Sequence, residues 1–236
     1  SAKAKRAAGL VLLTSGSTGD PKIVVTPPNA MIASARNIAH TLALSADDRA
    51  LHALPMFHIG AVVDLLLAPL LSGGSTVVCP ERTPSALANA IATGEATWIQ
   101  LVPTMLIRCL AEFDDAQLAA MCAPLKFIRS VSADIAAKTQ ATAEKQCGIP
   151  IIQMYGMTET AGQIATISRD HTDTKLGSVG RPVGLDVAIL DGYGNPVETG
   201  KSGEICVSGP SVFNGYEDMA KEQVFFDAWF RAGDLG

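Results

Sequence analysis

The stretch that decides the fold is Leu10-Val11-Leu12-Leu13-Thr14-Ser15-Gly16-Ser17-Thr18-Gly19-Asp20-Pro21-Lys22. Its four leading apolar residues predict a buried strand, and a loop of small, hydroxyl-bearing and glycine residues follows, closing on a lysine. Glycines let backbone N–H groups approach an anion, hydroxyls add donors, and a flexible ammonium supplies positive charge. The stretch therefore predicts a polyphosphate-binding loop. For such a loop taken alone, a Ser/Gly-rich surface turn is the alternative. It is not a Walker A loop, because Asp20-Pro21 separates Gly19 from Lys22.

Composition excludes several classes of protein. The chain has 236 residues, of which 48% are hydrophobic and 17% charged, so it can bury a sizeable core. The formal net charge of −5 argues against a nucleic-acid-binding surface. The 5 cysteines are widely spaced and form no C-x-x-C pair, which indicates neither a zinc site nor a disulfide framework and favours a reduced, cytoplasmic setting. The longest apolar run, 59–71, is too short for a membrane span of roughly 20 residues and predicts a buried helix.

Predicted strands alternate with helical stretches from the first strand to about residue 154. This pattern favours an α/β fold with a largely parallel sheet covered by helices on both faces. Ligands of such sheets lie beyond the carboxyl ends of the strands. Several polar or small residues follow predicted strands, and we expect them to converge on one edge of the sheet: Thr14, His58, Ser132, Ala133 and Tyr155.

The stretch Met154-Tyr155-Gly156-Met157-Thr158-Glu159-Thr160 combines an aromatic ring, a bare glycine, a hydroxyl and a carboxylate. The ring can stack on a base, Thr158 can bond a phosphate oxygen, and Glu159 can hold Mg²⁺. A polar strand-to-loop junction is the structural alternative. His58, in Pro55-Met56-Phe57-His58, would by itself be a structural histidine more often than a functional one.

The sequence pattern changes near residue 177, where short predicted strands with frequent glycine turns begin. They predict a small antiparallel, β-barrel-like subdomain. We therefore expect an α/β subdomain at 1–174 and a β-rich subdomain at 175–236. Near the end of the chain, the Asp234 carboxylate could accept both hydroxyls of a ribose, although an aspartate beside a glycine is usually a turn residue.

Four signatures in this order resemble those of the adenylate-forming enzymes, the superfamily of acyl-CoA synthetases, peptide-synthetase adenylation domains and firefly luciferase. They are residues 14–22, 55–58, 154–160 and 230–236. Met157 is typical of the acyl-CoA branch, whereas the peptide-synthetase branch prefers proline there. Segments such as 96–98 and 125–130 look most like the oxalate–CoA ligase group of small-acid CoA ligases.

The resemblance implies ATP-dependent acyl-CoA synthesis in two steps. A carboxylic acid and ATP give acyl-AMP and pyrophosphate, and a CoA thiol then displaces AMP. The resemblance implies that the β- and γ-phosphates of ATP are bound by Thr14, Ser15, Gly16, Ser17, Thr18, Gly19 and Lys22.

The remaining roles implied by the resemblance fall on the other three signatures and on the loop at residue 132. Thr158 would contact the α-phosphate, Glu159 the Mg²⁺, Tyr155 beside Gly156 the adenine, and Asp234 the ribose. His58, Ser132 and Ala133 would border the acyl group. Lys22, His58, Thr158 and Glu159 are the expected catalytic residues.

Two alternatives remain open at this point: an adenylation domain that loads the phosphopantetheine of a carrier protein, and a non-catalytic nucleotide-binding module. Family members normally have a long segment before the phosphate loop and a C-terminal domain that supplies a catalytic lysine. We therefore expect this chain to be a truncated core and a weak catalyst by itself. It departs from the family at Ile59-Gly60-Ala61, where a His-Gly is common. At Gly156 acetate-specific relatives have tryptophan, so a deeper acyl pocket is expected here.

Overall fold

The structure is a computed structural model that describes residues 9–14, 21–169, 175–217 and 219–236. Its strands, in chain order, are β1 (Leu10–Thr14), β2 (Lys22–Thr26), β3 (Arg49–His52), β4 (Ser75–Val78), β5 (Trp98–Leu101), β6 (Phe127–Ser130), β7 (Ile151–Met157), β8 (Gly162–Thr166), β9 (Arg181–Pro182), β10 (Asp186–Leu190), β11 (Glu204–Ser208), β12 (Phe225–Phe226) and β13 (Trp229–Leu235).

The helices connect and cover these strands. They are α1 (Pro28–Thr41), α2 (Ile59–Val62), α3 (Ala68–Leu71), α4 (Pro84–Gly94), α5 (Pro103–Glu112), α6 (Asp115–Cys122), α7 (Ala137–Cys147) and α8 (Lys221–Val224). A π-helical turn, Val63–Leu67, joins α2 to α3, and a 3₁₀ turn, Thr158–Thr160, follows β7. None of the helices in the described ranges combines the length and the apolar character that a membrane crossing requires.

The central sheet has seven strands in the order β4-β3-β5-β6-β7-β8-β9. The strands from β4 to β7 run parallel, and β8 and β9 continue the sheet antiparallel. Every residue of β5 and β6 is buried, as expected of parallel strands covered on both faces. The predicted α/β class with a largely parallel sheet is therefore confirmed.

Two hydrophobic clusters cover the two faces of this sheet. On one face, Leu87, Leu106 and Leu118 of α4, α5 and α6 pack with Ile99 and Ile128. On the other face, α1 and the helical segment 59–71 pack on Trp98 and Phe127, whose rings stack at 5.4 Å. Side chains of one strand alternate between the two clusters, so the sheet is held rigidly from both sides and can position loops at its edge.

A second sheet follows, antiparallel and four-stranded, in the order β10-β11-β13-β12. Its core is aromatic: the ring of Phe213 lies 5.1 Å from Phe230 and 6.1 Å from Phe225. The predicted antiparallel β-rich subdomain is confirmed. The boundary between residues 174 and 175 stays a prediction, and β9 still pairs with the central sheet.

The prediction of a buried first strand is wrong. Among the described residues β1 pairs with β2 alone, in a two-stranded antiparallel hairpin, and its side chains alternate between two faces. Leu12 is buried, whereas Val11 and Leu13 are 58% and 68% exposed. A continuous apolar run cannot reveal this, because it shows no period that distinguishes one face from the other.

The start of β3 is tied to the start of β6 by one buried carboxylate. Asp48 accepts hydrogen bonds from Ser45 and, at 2.7 Å, from Lys126 Nζ. Burial disfavours the charged form of Asp48. The hydrogen bonds from Lys126 and Ser45 favour the charged form more strongly, so the pKa of this carboxyl lies below its usual value. The contact therefore ties together the starts of two strands that flank β5 and carry loops to the site.

We expect Asp48→Asn to lower the free energy of unfolding by about 1–3 kcal/mol at neutral pH, because it removes the charged acceptor. A depressed folded-state pKa stabilises the fold above the unfolded-state value of about 3.9, and this stabilisation is lost as the pH falls through the folded-state pKa. Between about pH 5 and about pH 3, the free energy of unfolding measured with urea should therefore fall more steeply for the parent than for Asp48→Asn. The exposed neighbour gives the control, Asp47→Asn. Equal pH slopes for parent and Asp48→Asn would contradict the assignment.

Candidate active site

A cleft of about 640 Å³ lies at the carboxyl edge of the parallel strands, where the second sheet and the β1–β2 hairpin face the central sheet. Loops after β3, β6 and β7 reach it, as the position of ligands in open parallel sheets predicts. The residues from the sequence prediction that line it are Thr14, Lys22, His58, Ser132, Gly156, Thr158, Glu159 and Asp234.

The remaining predicted residues are placed differently. Ala133 is exposed and is not among the residues that line the cleft, and Tyr155 reaches the cleft wall only through a hydrogen bond. Ser15, Gly16, Ser17, Thr18 and Gly19 lie outside the described residues. The ends of that segment are described: Thr14 and Lys22 are cross-strand partners in the β1–β2 hairpin, so both face each other at the cleft.

Tyr155 and Asp234 join the two sheets across the cleft. The Tyr155 hydroxyl, on β7, donates to Asp234 Oδ2, on β13, at 2.5 Å. Burial raises the pKa of Tyr155, and the hydrogen bond and charge of Asp234 raise it further. The phenol therefore stays a donor at neutral pH and fixes the orientation of the carboxylate.

Tyr216 organises the opposite wall and was not predicted as a site residue. Its hydroxyl donates to Glu159 Oε1 at 2.7 Å, and Lys22 Nζ lies 4.9 Å from the centroid of its ring. Burial, followed by the hydrogen bond that Tyr216 donates to Glu159, raises the pKa of Tyr216. One side chain thus holds a carboxylate with its hydroxyl and an ammonium with its ring face. In the sequence, Tyr216 carries no signal of this role beyond its place in the glycine-rich region that begins near residue 177.

The backbone also fixes Glu159. This residue lies in the 3₁₀ turn Thr158–Thr160, and its carbonyl accepts a hydrogen bond from Phe213 N at 2.8 Å. The turn therefore presents Thr158 and Glu159 together at the cleft, anchored to the aromatic core of the second sheet.

The loops after β3 and β6 form the third wall. His58 lies at the N-cap position of α2, makes no side-chain capping hydrogen bond, and is exposed beside Phe57, whose ring centroid lies 4.7 Å away. Ser132 has a φ of 69°, a left-handed conformation that is costly for a residue other than glycine. Such conformations persist where the surrounding structure determines them, and here it turns Ser132 toward the cleft.

The floor of the cleft contains a buried ion pair that the sequence analysis missed. Arg129 Nη1, on β6, donates to Asp64 Oδ2 at 2.7 Å and to Gln100 Oε1 at 2.8 Å, and its Nη2 donates to Gln163 Oε1 at 2.9 Å. Burial raises the pKa of Asp64 against the opposing charge of Arg129. The only sequence signals were a carboxylate interrupting the apolar run 59–71 and an arginine inside an apolar strand.

Gly156 is required by the close approach of two strands. A Cβ built on it would lie 2.0 Å from the carbonyl oxygen of Gly162, at the place where the β7–β8 register shifts. The missing side chain would therefore point into the β8 backbone. Gly156 lines the cleft, and the expectation that it deepens the acyl pocket stays a prediction.

Magnesium is compatible with the residues at the cleft. No group of three or more potential metal-ligating side chains (His, Cys, Asp or Glu) occurs within the described ranges. Mg²⁺ in nucleotide sites is commonly held by one or two carboxylates together with substrate phosphates and water. Glu159 fits this arrangement, because Tyr216 engages only its Oε1 and the carboxylate has a second oxygen.

Comparisons with known proteins agree with this geometry. A family model described as "AMP-binding enzyme" matches residues 3–217. Sulfoacetate–CoA ligase from Cupriavidus necator is 36% identical over 233 residues, which are 98% of this chain and 45% of that protein. 2-Succinylbenzoate–CoA ligase from Bacillus licheniformis is 34% identical over 239 residues, 97% of this chain and 47% of that protein. The chain thus spans less than half the length of these relatives.

A solved structure shows the same architecture. O-succinylbenzoate coenzyme A synthetase from Bacillus subtilis, in complex with ATP and a magnesium ion, has a TM-score of 0.84 and 32% sequence identity. The similarity covers 96% of this chain and 46% of that one.

We expect Gly156→Ala to lower the free energy of unfolding by about 1–3 kcal/mol, because its methyl group must displace the β8 backbone. Gly192→Ala is the matched control, since a Cβ built there meets nothing within 4 Å. Urea unfolding of both variants makes the comparison. Equal stability of the two variants would show that β7 and β8 do not approach as described.

Proposed function

The chain belongs to the AMP-binding enzyme family, and from this premise we propose that the protein containing it is an ATP-dependent acid–thiol ligase that makes acyl-CoA. The observation that carries the proposal is the meeting of Lys22, Glu159 and Asp234 in one cleft, beside a tyrosine that contacts the first two. A cation, a potential magnesium ligand and a potential ribose acceptor are the groups that an adenylation site needs.

In the proposed reaction, a carboxylate oxygen of the acid attacks the α-phosphorus of ATP and the bond to pyrophosphate breaks. A thiolate then attacks the acyl carbonyl, and AMP leaves. Because the protein forms no covalent bond in this scheme, its contribution is positioning and stabilisation of developing negative charge.

We assign the phosphate end of the cleft to the wall built on Tyr216. Lys22 and Thr14, with Ser15–Gly19 between them, would hold the β- and γ-phosphates. The Thr158 hydroxyl would donate to the α-phosphate. Bound Mg²⁺ would neutralise phosphate charge, with Glu159 as its protein ligand. The contact of Lys22 with the ring of Tyr216 supports these roles, because it orients the ammonium before substrate arrives.

We assign the nucleoside end to Tyr155 and Asp234. The Tyr155 hydroxyl donates to Asp234 Oδ2, which fixes the carboxylate to accept the ribose hydroxyls. In this proposal the adenine lies along the Tyr155–Gly156 segment. The acyl group would be bordered by His58 and Ser132, with Ala133 in the adjoining loop.

The thiol acceptor in this proposal is CoA, in line with the names of the relatives, each of which is a CoA ligase or coenzyme A synthetase. A carrier-protein phosphopantetheine is the other acceptor that the chemistry admits. We also propose a cytoplasmic location, which is supported by 5 free, buried cysteines. Residues 1–174 and 175–236 would be the two subdomains between which the nucleotide lies.

The proposal predicts that the full-length protein exchanges pyrophosphate into ATP when it is given the right carboxylic acid, and forms acyl-CoA when CoA is added. The measurement is a pyrophosphate-exchange screen over carboxylic acids, followed by mass spectrometry with CoA and with a phosphopantetheinylated carrier protein. A folded protein that binds nucleotide but exchanges pyrophosphate with no acid in a broad panel would refute the enzymatic assignment.

Glu159→Gln should lower the exchange rate by roughly 10²–10³, the scale of losing one preorganised electrostatic contact. The change keeps the shape and removes the charge that would hold Mg²⁺. Glu198→Gln, at an exposed glutamate outside the cleft, is the control and should exchange at the parent rate. An unchanged rate in Glu159→Gln would place the metal site elsewhere.

A further inference from the structure

We propose that Glu204 on β11 positions the Asp234 carboxylate for the ribose of the nucleotide. Glu204 is not among the residues that line the cleft, and it acts through the backbone of Gly233, which precedes Asp234. It is therefore a positioning residue and not a catalytic one. The inference rests on the proposed function, because it concerns the nucleoside end of the same cleft.

The first observation is a bulge in β13 where this strand passes the cleft. On the neighbouring strand β11, Glu204 is the partner of Leu235. The next paired residue of β11, Cys206, is the partner of Arg231, so residues 232–234 have no regular place in the ladder. All three of these residues line the cleft, although the side chains of a regular strand alternate between its two faces. The bulge therefore turns this segment toward the cleft.

The second observation is that the Glu204 carboxylate closes the bulge. Its Oε1 accepts a hydrogen bond from Gly233 N at 3.1 Å. A backbone N–H that has left the ladder is an unpaired donor, and a carboxylate is a strong acceptor for it. Gly233 has a φ of 81°, a left-handed conformation that glycine adopts readily. The hydrogen bond therefore selects one shape for a segment that is otherwise easy to bend.

The carboxylate of Glu204 is itself held in place by Arg231. The Nε and Nη2 atoms of Arg231 lie 2.9 Å and 2.8 Å from Glu204 Oε2. The guanidinium also lies 4.4 Å from the centroid of the Phe226 ring, a cation–π contact. The side chains of Glu204 and Arg231 are 19% and 34% exposed, so water and salt screen the ion pair only in part. Arg231 thus engages Oε2 and leaves Oε1 directed at Gly233.

Asp234 is consequently fixed from two sides. Tyr155 donates to its Oδ2, which orients one end of the carboxylate. Glu204 fixes the backbone from which the same carboxylate projects. Asp234 is exposed and lines the cleft, so a bound nucleotide can reach it. Accepting two ribose hydroxyls requires both carboxylate oxygens at set positions, and a loosened bulge would weaken this recognition without filling the cleft.

The test compares the binding of AMP and of 2′,3′-dideoxy-AMP, which lacks both ribose hydroxyls, by calorimetry on the full-length protein. The parent should bind AMP roughly tenfold or more tightly than dideoxy-AMP, the scale of hydrogen bonds to a charged group. Glu204→Ala should reduce this preference to about twofold or less and keep the affinity for dideoxy-AMP within about twofold of the parent's, because it removes only preorganisation of Asp234. An equal loss of affinity for both nucleotides, or an unchanged preference, overturns the proposal.

A double-variant comparison shows whether Glu204 acts through Asp234. Asp234→Ala should abolish the preference for AMP by itself. Adding Glu204→Ala to it should change the preference no further, because both residues act on one contact. A further change of the preference in the double variant would contradict the proposal. Glu198→Ala, at an exposed glutamate outside the cleft, is the control and should keep the parent's preference.

The outcome for Glu204 can be told apart from the outcome for the proposed function. If no acid supports pyrophosphate exchange, but Glu204→Ala removes the preference for AMP, the ligase activity is refuted and the role of Glu204 is supported. If an acid supports exchange, but Glu204→Ala leaves the preference intact, the ligase activity is supported and the role of Glu204 is overturned. A folded parent that binds the two nucleotides equally, or binds neither, also overturns this role.

Discussion

A buried guanidinium at the centre of the sheet sets the main constraint on this structure. Arg129 is fully buried in β6, where an unpaired charge would be prohibitively costly, so its surroundings must supply acceptors. Asp64 comes from the π-helical turn, Gln100 from β5 and Gln163 from β8. Four elements that are distant in sequence are therefore fixed to one another beneath the cleft. π-Helical turns often occur at functional sites, and here the turn delivers the carboxylate.

The cleft above this floor depends on contacts between the two sheets. The hydrogen bonds Tyr155–Asp234 and Tyr216–Glu159 join residues 79 and 57 positions apart in the chain. In both, a phenol that stays protonated at neutral pH orients a carboxylate. The loops supply the chemistry, whereas the aromatic core around Phe213 and the rigid parallel sheet supply the fixed distances between them.

The fold class could be predicted from the sequence because it is encoded locally. Strands alternating with helices predicted the parallel sheet, and glycine-punctuated short strands predicted the antiparallel one. Which side chains of β1 are buried could not be predicted, because the run Leu10–Leu13 shows no period and β1 pairs with a single strand. Motif positions such as Lys22 and Glu159 could be named from sequence because each lies in a compact signature. Their mutual contact through Tyr216 could not, because it depends on how two sheets meet.

The same limit explains what was missed at the floor and at Gly156. Asp64 and Arg129 are 65 positions apart, and the local sequence around one residue does not indicate its contact with the other. The sequence around Gly156 likewise does not show that the packing of β8 against β7 requires a glycine there. Pairing across a sheet therefore carries information that local pattern does not.

The central claim is that the nucleotide occupies the cleft between the two sheets, and photolabelling tests it most directly. The full-length protein would be irradiated with an azido-adenosine analogue of ATP in the presence of Mg²⁺, and the labelled residues mapped by mass spectrometry. We predict ATP-protectable labels within residues 154–159 or 229–236. Protectable labelling confined to another surface, such as the apolar groove between the β3 loop and β4 that contains Met56 and Val78, would contradict the account.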